Sequence, residues 1–261
     1  TCLFDDDGTG TYADMSGVAD GTVTVYATVS STNSGNFFAT QDITDPTVTI
    51  TTTTANSPAS GGTTNTAAIP LTFTMSESTT DFVVGDIQVS GCTLGSLSGS
   101  GSSYSATCTA GASGAVTIDV AADGFTDSVG NGNTAATRYQ WTADLTAPTL
   151  SAVTLNTNNA NNDYSIDGNT ITLAFTSSET IATPTCAILF GGSNAHNTET
   201  VSNSGNDWTC TVASHDNDGD GSVTFTLDFT DSNGNAGTQV SSTTDGSTVT
   251  HDDTVPTLTS V

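Results

Sequence analysis

The chain has 261 residues, with 27 Asp and Glu against a single basic residue, Arg138, and a formal net charge of −26. Such a surface repels nucleic acid and anionic membrane, so neither is expected as a partner. Two explanations remain for the charge: a solvated, salt-adapted surface, or acidic groups partly neutralised by divalent cations.

In chain order, residues 23–29 (Val-Thr-Val-Tyr-Ala-Thr-Val) alternate apolar and polar, the mark of a strand with one buried face. A turn cluster at 33–36 follows, then Phe37 and Phe38. The next block is predicted to hold strands at 48–51, 69–75, 82–84, 87–89, 104–108, 116–120 and 136–141. Ile69, Leu71, Phe73 and Met75 are its expected inward residues. A third block repeats the plan at 171–175, 187–190, 208–210, 223–229 and around Val240. No stretch has helical periodicity, and no apolar run approaches a membrane span, so no direct membrane insertion is expected of this segment.

One hexapeptide punctuates these blocks. It reads D-x-T-x-P-T at residues 42–47, 144–149 and 252–257, with its prolines 102 and then 108 residues apart. Proline fixes φ and cannot donate to a ladder, so it suits the mouth of a first strand. The predicted organisation is therefore the rear of one domain at 1–44, complete domains at 45–145 and 146–254, and the start of a further repeat at 255–261. Two shorter motifs recur with the linker: Glu77 matches Glu179, and residues 125–131 (F-T-D-S-V-G-N) match residues 229–235 (F-T-D-S-N-G-N). Six or seven short strands per hundred residues predict an all-β chain of tandem Ig-like β-sandwich domains, Greek-key, with about seven strands each.

Five cysteines in this setting point to oxidising surroundings. Cys92 and Cys108 share the second block and Cys186 and Cys210 the third, so each pair is expected to close a disulfide within its domain. A partner for Cys2 is expected upstream. No Cys/His cluster has zinc or redox spacing.

The linker, the F-T-x-S-E segment and D-S-x-G-N together resemble the Ig-like repeats of giant extracellular adhesins and surface proteins. That resemblance implies an extracellular, cell-surface array of sandwiches, often rigidified by Ca²⁺ at the joints, whose partners are neighbouring repeats of the same polypeptide. In an Ig sandwich the loops bearing Glu77, Asp127 and Asn131 should face the linker that carries Asp42 and Asp45, with Asp20 approaching from the preceding domain. Asp144, Glu179, Asp231 and Asn235 repeat the arrangement. Carboxylates with an amide or carbonyl suit Ca²⁺, which takes six to eight oxygens. The local alternative is that these residues close Asx turns and cap strand ends.

Asp216, Asp218 and Asp220, in D-N-D-G-D-G, resemble the opening of a Ca²⁺ loop, with Asp252 and Asp253 as further candidate ligands. Leu227 stands where an EF-hand places its bidentate Glu. A solvated acidic turn is the alternative.

Catalysis is not expected. His196, His215 and His251 lie in polar, turn-like sequence, and no nucleophile elbow or H-E-x-x-H motif is present. Trp141, Trp208 and Tyr104 are either a sugar-binding platform or, more simply, core. The functional expectation is a disulfide-stapled, Ca²⁺-stiffened structural spacer. The alternatives are a self-assembling filament, surface appendage such as a flagellar hair, or surface layer made with other copies, and a glycan-binding module.

Overall fold

A computed structural model describes residues 21–26, 36–52 and 57–258, as strand positions alone for 21–26 and 36–41. Gly21–Tyr26 and Asn36–Gln41 pair antiparallel, Gly21 opposite Gln41. Asp20 and Cys2 lie outside the described residues. The described chain is all-β apart from one 3₁₀ turn, and it resolves into two compact units.

The first unit is a sandwich. One sheet places Val48–Thr52, Ala68–Thr79, Ser98–Thr109 and Thr93–Leu94 side by side in that order. The other runs Tyr139–Ala143, Gly114–Val120, Ile87–Ser90. This is the strand order of an immunoglobulin sandwich. Alternation explains the layering: Ile69, Leu71, Phe73 and Met75 are buried, while the residues between them turn outward. Phe82 packs edge-on against Tyr104 and Phe125 and at a tilt on Phe73, with ring centroids 5.2–5.8 Å apart. Trp141 and Tyr104 are buried, and the Tyr104 hydroxyl donates to the Thr79 carbonyl, so both are core and not a platform.

Residues 82–84, expected as a strand, are not one. Only Phe82 points inward; Val83 and Val84 are about half exposed. The Asp86 carboxylate takes the Val83 N–H at 2.7 Å and winds Val84–Asp86 into the 3₁₀ turn. A local side-chain cap here outcompetes β propensity.

The second unit repeats the order with Leu150–Thr157, Thr170–Ser177, Asp207–Ala213 and Thr200–Ser204 in one sheet. Tyr164–Ser165, Thr250–His251, Gly221–Asp228, Thr185–Phe190 and Ser193–Asn194 form the other. Its core centres on Ile171, Leu173, Ile188, Phe190 and Leu227, with Trp208 buried beside them. Both expected disulfides are present, Cys92–Cys108 and Cys186–Cys210. The second ties a strand of one sheet to a strand of the other.

The Val240 region is not a full strand. Val240 exchanges both backbone hydrogen bonds with Leu227, and Val249 then accepts from the Val223 N–H. Between them the chain leaves the sheet. Thr244 donates instead to the Val153 carbonyl, and the Ser247 hydroxyl accepts from the Leu155 N–H. The detour spans the irregular register between Ser151 and Thr154 of the opposite edge.

Candidate metal centre

Among the described residues each unit carries one cluster of three carboxylates, at the end where its linker arrives. In the first unit Asp42, Glu77 and Asp127 each offer an oxygen, all within 4.8 Å of one another. In the second, Asp144, Glu179 and Asp231 do the same. The linker supplies the first acid, the end of the second strand the next, and the turn after residue 125 or 229 the third.

The turn is built locally. The Asp127 Oδ1 accepts the N–H groups of Val129, Gly130 and Asn131 at 2.7–2.9 Å, and its Oδ2 accepts from Asn131 Nδ2. Gly130 has φ +100°, where an L side chain would be strained, which is why this motif carries glycine. Asn131 Nδ2 also donates to the Asp42 carbonyl at 3.1 Å, joining turn to linker. In the second unit Asp231 Oδ1 accepts from the Asn233 and Asn235 N–H groups. Asn235 Nδ2 bridges Asp231 Oδ2 and the Asp144 carbonyl. Thus Asn131 and Asn235 donate across the site and position its acids.

The turn alternative and the ion-site alternative are therefore compatible. Oδ1 of each central Asp closes the turn, and the carboxylate still belongs to the cluster.

Charge states follow from these contacts. Burial pushes the Asp231 carboxyl up, but hydrogen bonds from the Asn235 side chain and the Asn235, Asn233 and Gly234 amides outweigh it and hold the group below the usual aspartate range. Asp127 is lowered in the same way. Glu179 moves the other way: burial first, then the nearby Asp144 and Asp231 charges, raise its carboxyl above the usual range. The cluster is one in which the last acid ionises against two charges already present.

Three contributors were not singled out from sequence. Ser76 and Ser178, each just before the cluster glutamate, accept the N–H of Thr47 and Thr149 at 2.9 Å. The S-E pair is thus divided in labour, Ser fastening the linker and Glu reaching the cluster. Asn233 Nδ2 donates to Asp144 Oδ2 at 2.7 Å, a contact for which Val129 in the first unit has no counterpart.

Other candidate residues lie apart from these clusters. Asp45 is exposed. Asp216, Asp218 and Asp220 diverge: Asp216 meets His215, Asp218 turns inward to main-chain amides, and Asp220 accepts from the Asp253 N–H and the Thr254 hydroxyl. Asp252 Oδ1 accepts from the Thr254 N–H, an Asx turn. Asp253 Oδ2 lies 2.9 Å from His251 Nε2, close but outside hydrogen-bonding geometry.

His251 departs from its expected polar turn. It is fully buried, its ring edge-on to Phe190, with Nδ1 3.0 Å from the Ser165 hydroxyl. Ser165, His251 and Asp253 thus line up in the order of a catalytic triad. Ser165 and His251 both have no exposed surface, so no substrate reaches that hydroxyl and the chain of contacts is structural.

Residues 42–143 match the family model described as a bacterial Ig-like domain. No curated protein matches the sequence. Among solved structures, an I-band fragment of titin aligns at 9% identity and TM-score 0.40, covering 81% of this chain and 66% of that fragment, just under two thirds of its length. Bovine butyrophilin aligns at 10% identity and TM-score 0.32, covering 76% of this chain and 98% of that one. Residues 42–143 are thus similar to a bacterial Ig-like domain, and the strand orders of the two units make the chain a tandem of Ig-like β-sandwiches.

Proposed function

We propose that this chain is a non-enzymatic spacer segment of an extracellular surface protein, in which each Ig-like domain binds one Ca²⁺ where its linker arrives. The observation that carries the reading is the recurrence of one acidic triad, Asp42/Glu77/Asp127 and Asp144/Glu179/Asp231, in both units. Bacterial Ig-like domains are often surface-exposed and generally non-enzymatic, and two disulfides suit an oxidising exterior. No described helix is long and apolar enough to cross a membrane.

The donor set fits a hard cation. The three carboxylates of each cluster offer only oxygen, which Ca²⁺ prefers and which Zn²⁺ or Cu²⁺ sites rarely use alone. Asp42, Glu77 and Asp127 would hold the ion in one domain, and Asp144, Glu179 and Asp231 in the other. Bound there, Ca²⁺ supplies charge neutralisation and a fixed crosslink.

The protein's own part is positional. Asn131 and Asn235 tie the turn to the linker carbonyl, and Ser76 and Ser178 tie the residue after the linker proline. With the acids drawn together, the direction in which the linker meets its domain is fixed. A string of such domains keeps its reach, which is the mechanical work of a spacer.

Isothermal titration with Ca²⁺ tests this. The wild-type chain takes up two ions, Glu77→Gln and Glu179→Gln each remove one, and the double variant removes both. Uptake of the same two ions by the double variant would overturn the proposal.

A further inference from the structure

The last strand of the second unit is broken where that of the first is whole. Tyr139–Ala143 runs beside Gly114–Val120, whereas only Thr250–His251 is a strand beside Gly221–Asp228. Val240 donates to the Leu227 carbonyl as Ala136 does to that of Val120. The return from Val240 to His251 is nevertheless four residues longer than that from Ala136 to Ala143. The surplus leaves a gap in the ladder. Val223 N–H reaches the Val249 carbonyl, and Leu227 exchanges both bonds with Val240. Phe225 lies midway, so by alternation its N–H and C=O face the same side. No backbone bond meets them there among the described residues.

A recess of about 370 Å³ opens at this gap, within the range of about 300–1,000 Å³ usual for small-ligand pockets. Its floor is apolar, formed by the buried Leu155, Val223, Phe225 and Val249. Its rim is hydroxyl: Ser241, Ser242 and Thr248 are exposed and make no side-chain hydrogen bond among the described residues. None of the lining residues is charged, in a chain of net charge −26. The wall is braced without a ligand. Thr243 Oγ1 donates to the Ser247 carbonyl at 3.0 Å, and Ser247 Oγ takes the Leu155 N–H at 2.9 Å. The Ser247 N–H in turn occupies the Asp245 carboxylate.

These features select a neutral, compact ligand. Ions find no opposite charge in the lining. A peptide strand running through the gap is excluded, because the pairs at Val223 and Leu227 close it at both ends, about 13 Å apart. What fits is a single secondary amide, giving the Phe225 N–H an acceptor and its C=O a donor. That amide must carry hydroxyls for the rim and an apolar group for the floor. We infer that the recess binds one residue of an N-acetylated amino sugar, its acetamido group bridging the Phe225 main chain and its ring hydroxyls meeting Ser241, Ser242 and Thr248. Trp141, Trp208 and Tyr104, which are core, take no part, and the site is independent of the two carboxylate triads.

NMR titration of the full chain with diacetylchitobiose tests it, against cellobiose, which has hydroxyls in place of the acetamido groups, and against a neutral acetylated tripeptide. The expected result is millimolar binding of diacetylchitobiose, with the Phe225 amide and the residues around Ser242 shifted. Cellobiose binds about tenfold more weakly, the loss of one amide's hydrogen bonds. Ser242→Trp, which fills the rim, abolishes the shifts, and an unchanged melting curve shows that the domain is intact. A chain lacking residues 243–246, which restores the first unit's return length, loses them too. No binding at millimolar sugar, cellobiose bound equally well, tighter binding of the tripeptide, or shifts that survive Ser242→Trp each overturn the assignment. The titration gives the same result in chelator as in calcium, so failure of calcium binding at the triads leaves it standing.

Discussion

Replacing Glu179 by Gln is expected to stabilise the ion-free second domain and to abolish its response to calcium. The three acids of its cluster offer oxygens within 4.8 Å of one another. At that distance two like charges repel by about 0.9 kcal/mol in a water-like dielectric and about 3.5 kcal/mol at an effective dielectric of about 20. Glu179 meets two such charges, Asp144 and Asp231, but it is only partly buried, so the low end applies and salt reduces it further. Relief of about 1–2 kcal/mol raises the melting temperature by roughly 4–10 °C for a domain of this size. Calorimetry of the whole chain in chelator and in calcium resolves the effect. The variant's second transition should lie above wild type in chelator and should not move on adding calcium, whereas the wild-type transition moves up. A variant less stable than wild type in chelator, or one still raised by calcium, would refute the repulsion argument.

Acid titration separates the two kinds of carboxylate. Asp231 is held below the usual aspartate range, so its contribution is present above that range and is lost as pH falls through its lowered value; Asp231→Asn should flatten this acid limb in urea melts. Glu179 is raised, so the ion-free domain gains stability as pH falls through that raised value, a gain Glu179→Gln should lack. Removing the Cys186–Cys210 bridge, which closes a 24-residue separation, should cost about 3 kcal/mol in the chain-entropy account, read as a lower second transition. His251→Ala should cost about 3 kcal/mol by emptying a fully buried place beside Phe190 and leaving the Ser165 hydroxyl without its partner, again in the second transition alone. Gly91→Ala places a Cβ against the Ala115 carbonyl oxygen at a φ of +78°, and should lower the first transition without touching calcium uptake.

The sandwich was legible where the core residues sit at every second position. Ile69 to Met75 and Ile171 to Phe175 alternate without interruption, and both are central strands buried on one face. Thr200–Ser204 could not be read that way. It is an edge strand with four of its five residues exposed, so burial leaves no mark on its sequence, and only pairing with Asp207–Ala213 defines it. The detour between Val240 and Val249 was hidden for a related reason: its Ser and Thr residues bond to the far edge through backbone and hydroxyl groups, which no periodicity records. Phe82 to Val84 misled in the opposite sense, because a run of apolar residues was cut short by the Asp86 cap.

The acidic clusters were legible because their parts recur at domain spacing, and recurrence reports on geometry that composition cannot. What recurrence could not settle is how one Asp serves two ends. In both units one carboxylate oxygen collects the amides of its own turn, and the other meets the Asn that reaches back to the linker carbonyl. Turn and linker are thus joined before an ion is considered. In the second unit Glu179 is the residue driven upward. An ion in the second unit is accordingly most effective beside Glu179, and Asp45, exposed and one residue beyond the linker's Asx turn, is expected to contribute nothing when replaced by Asn.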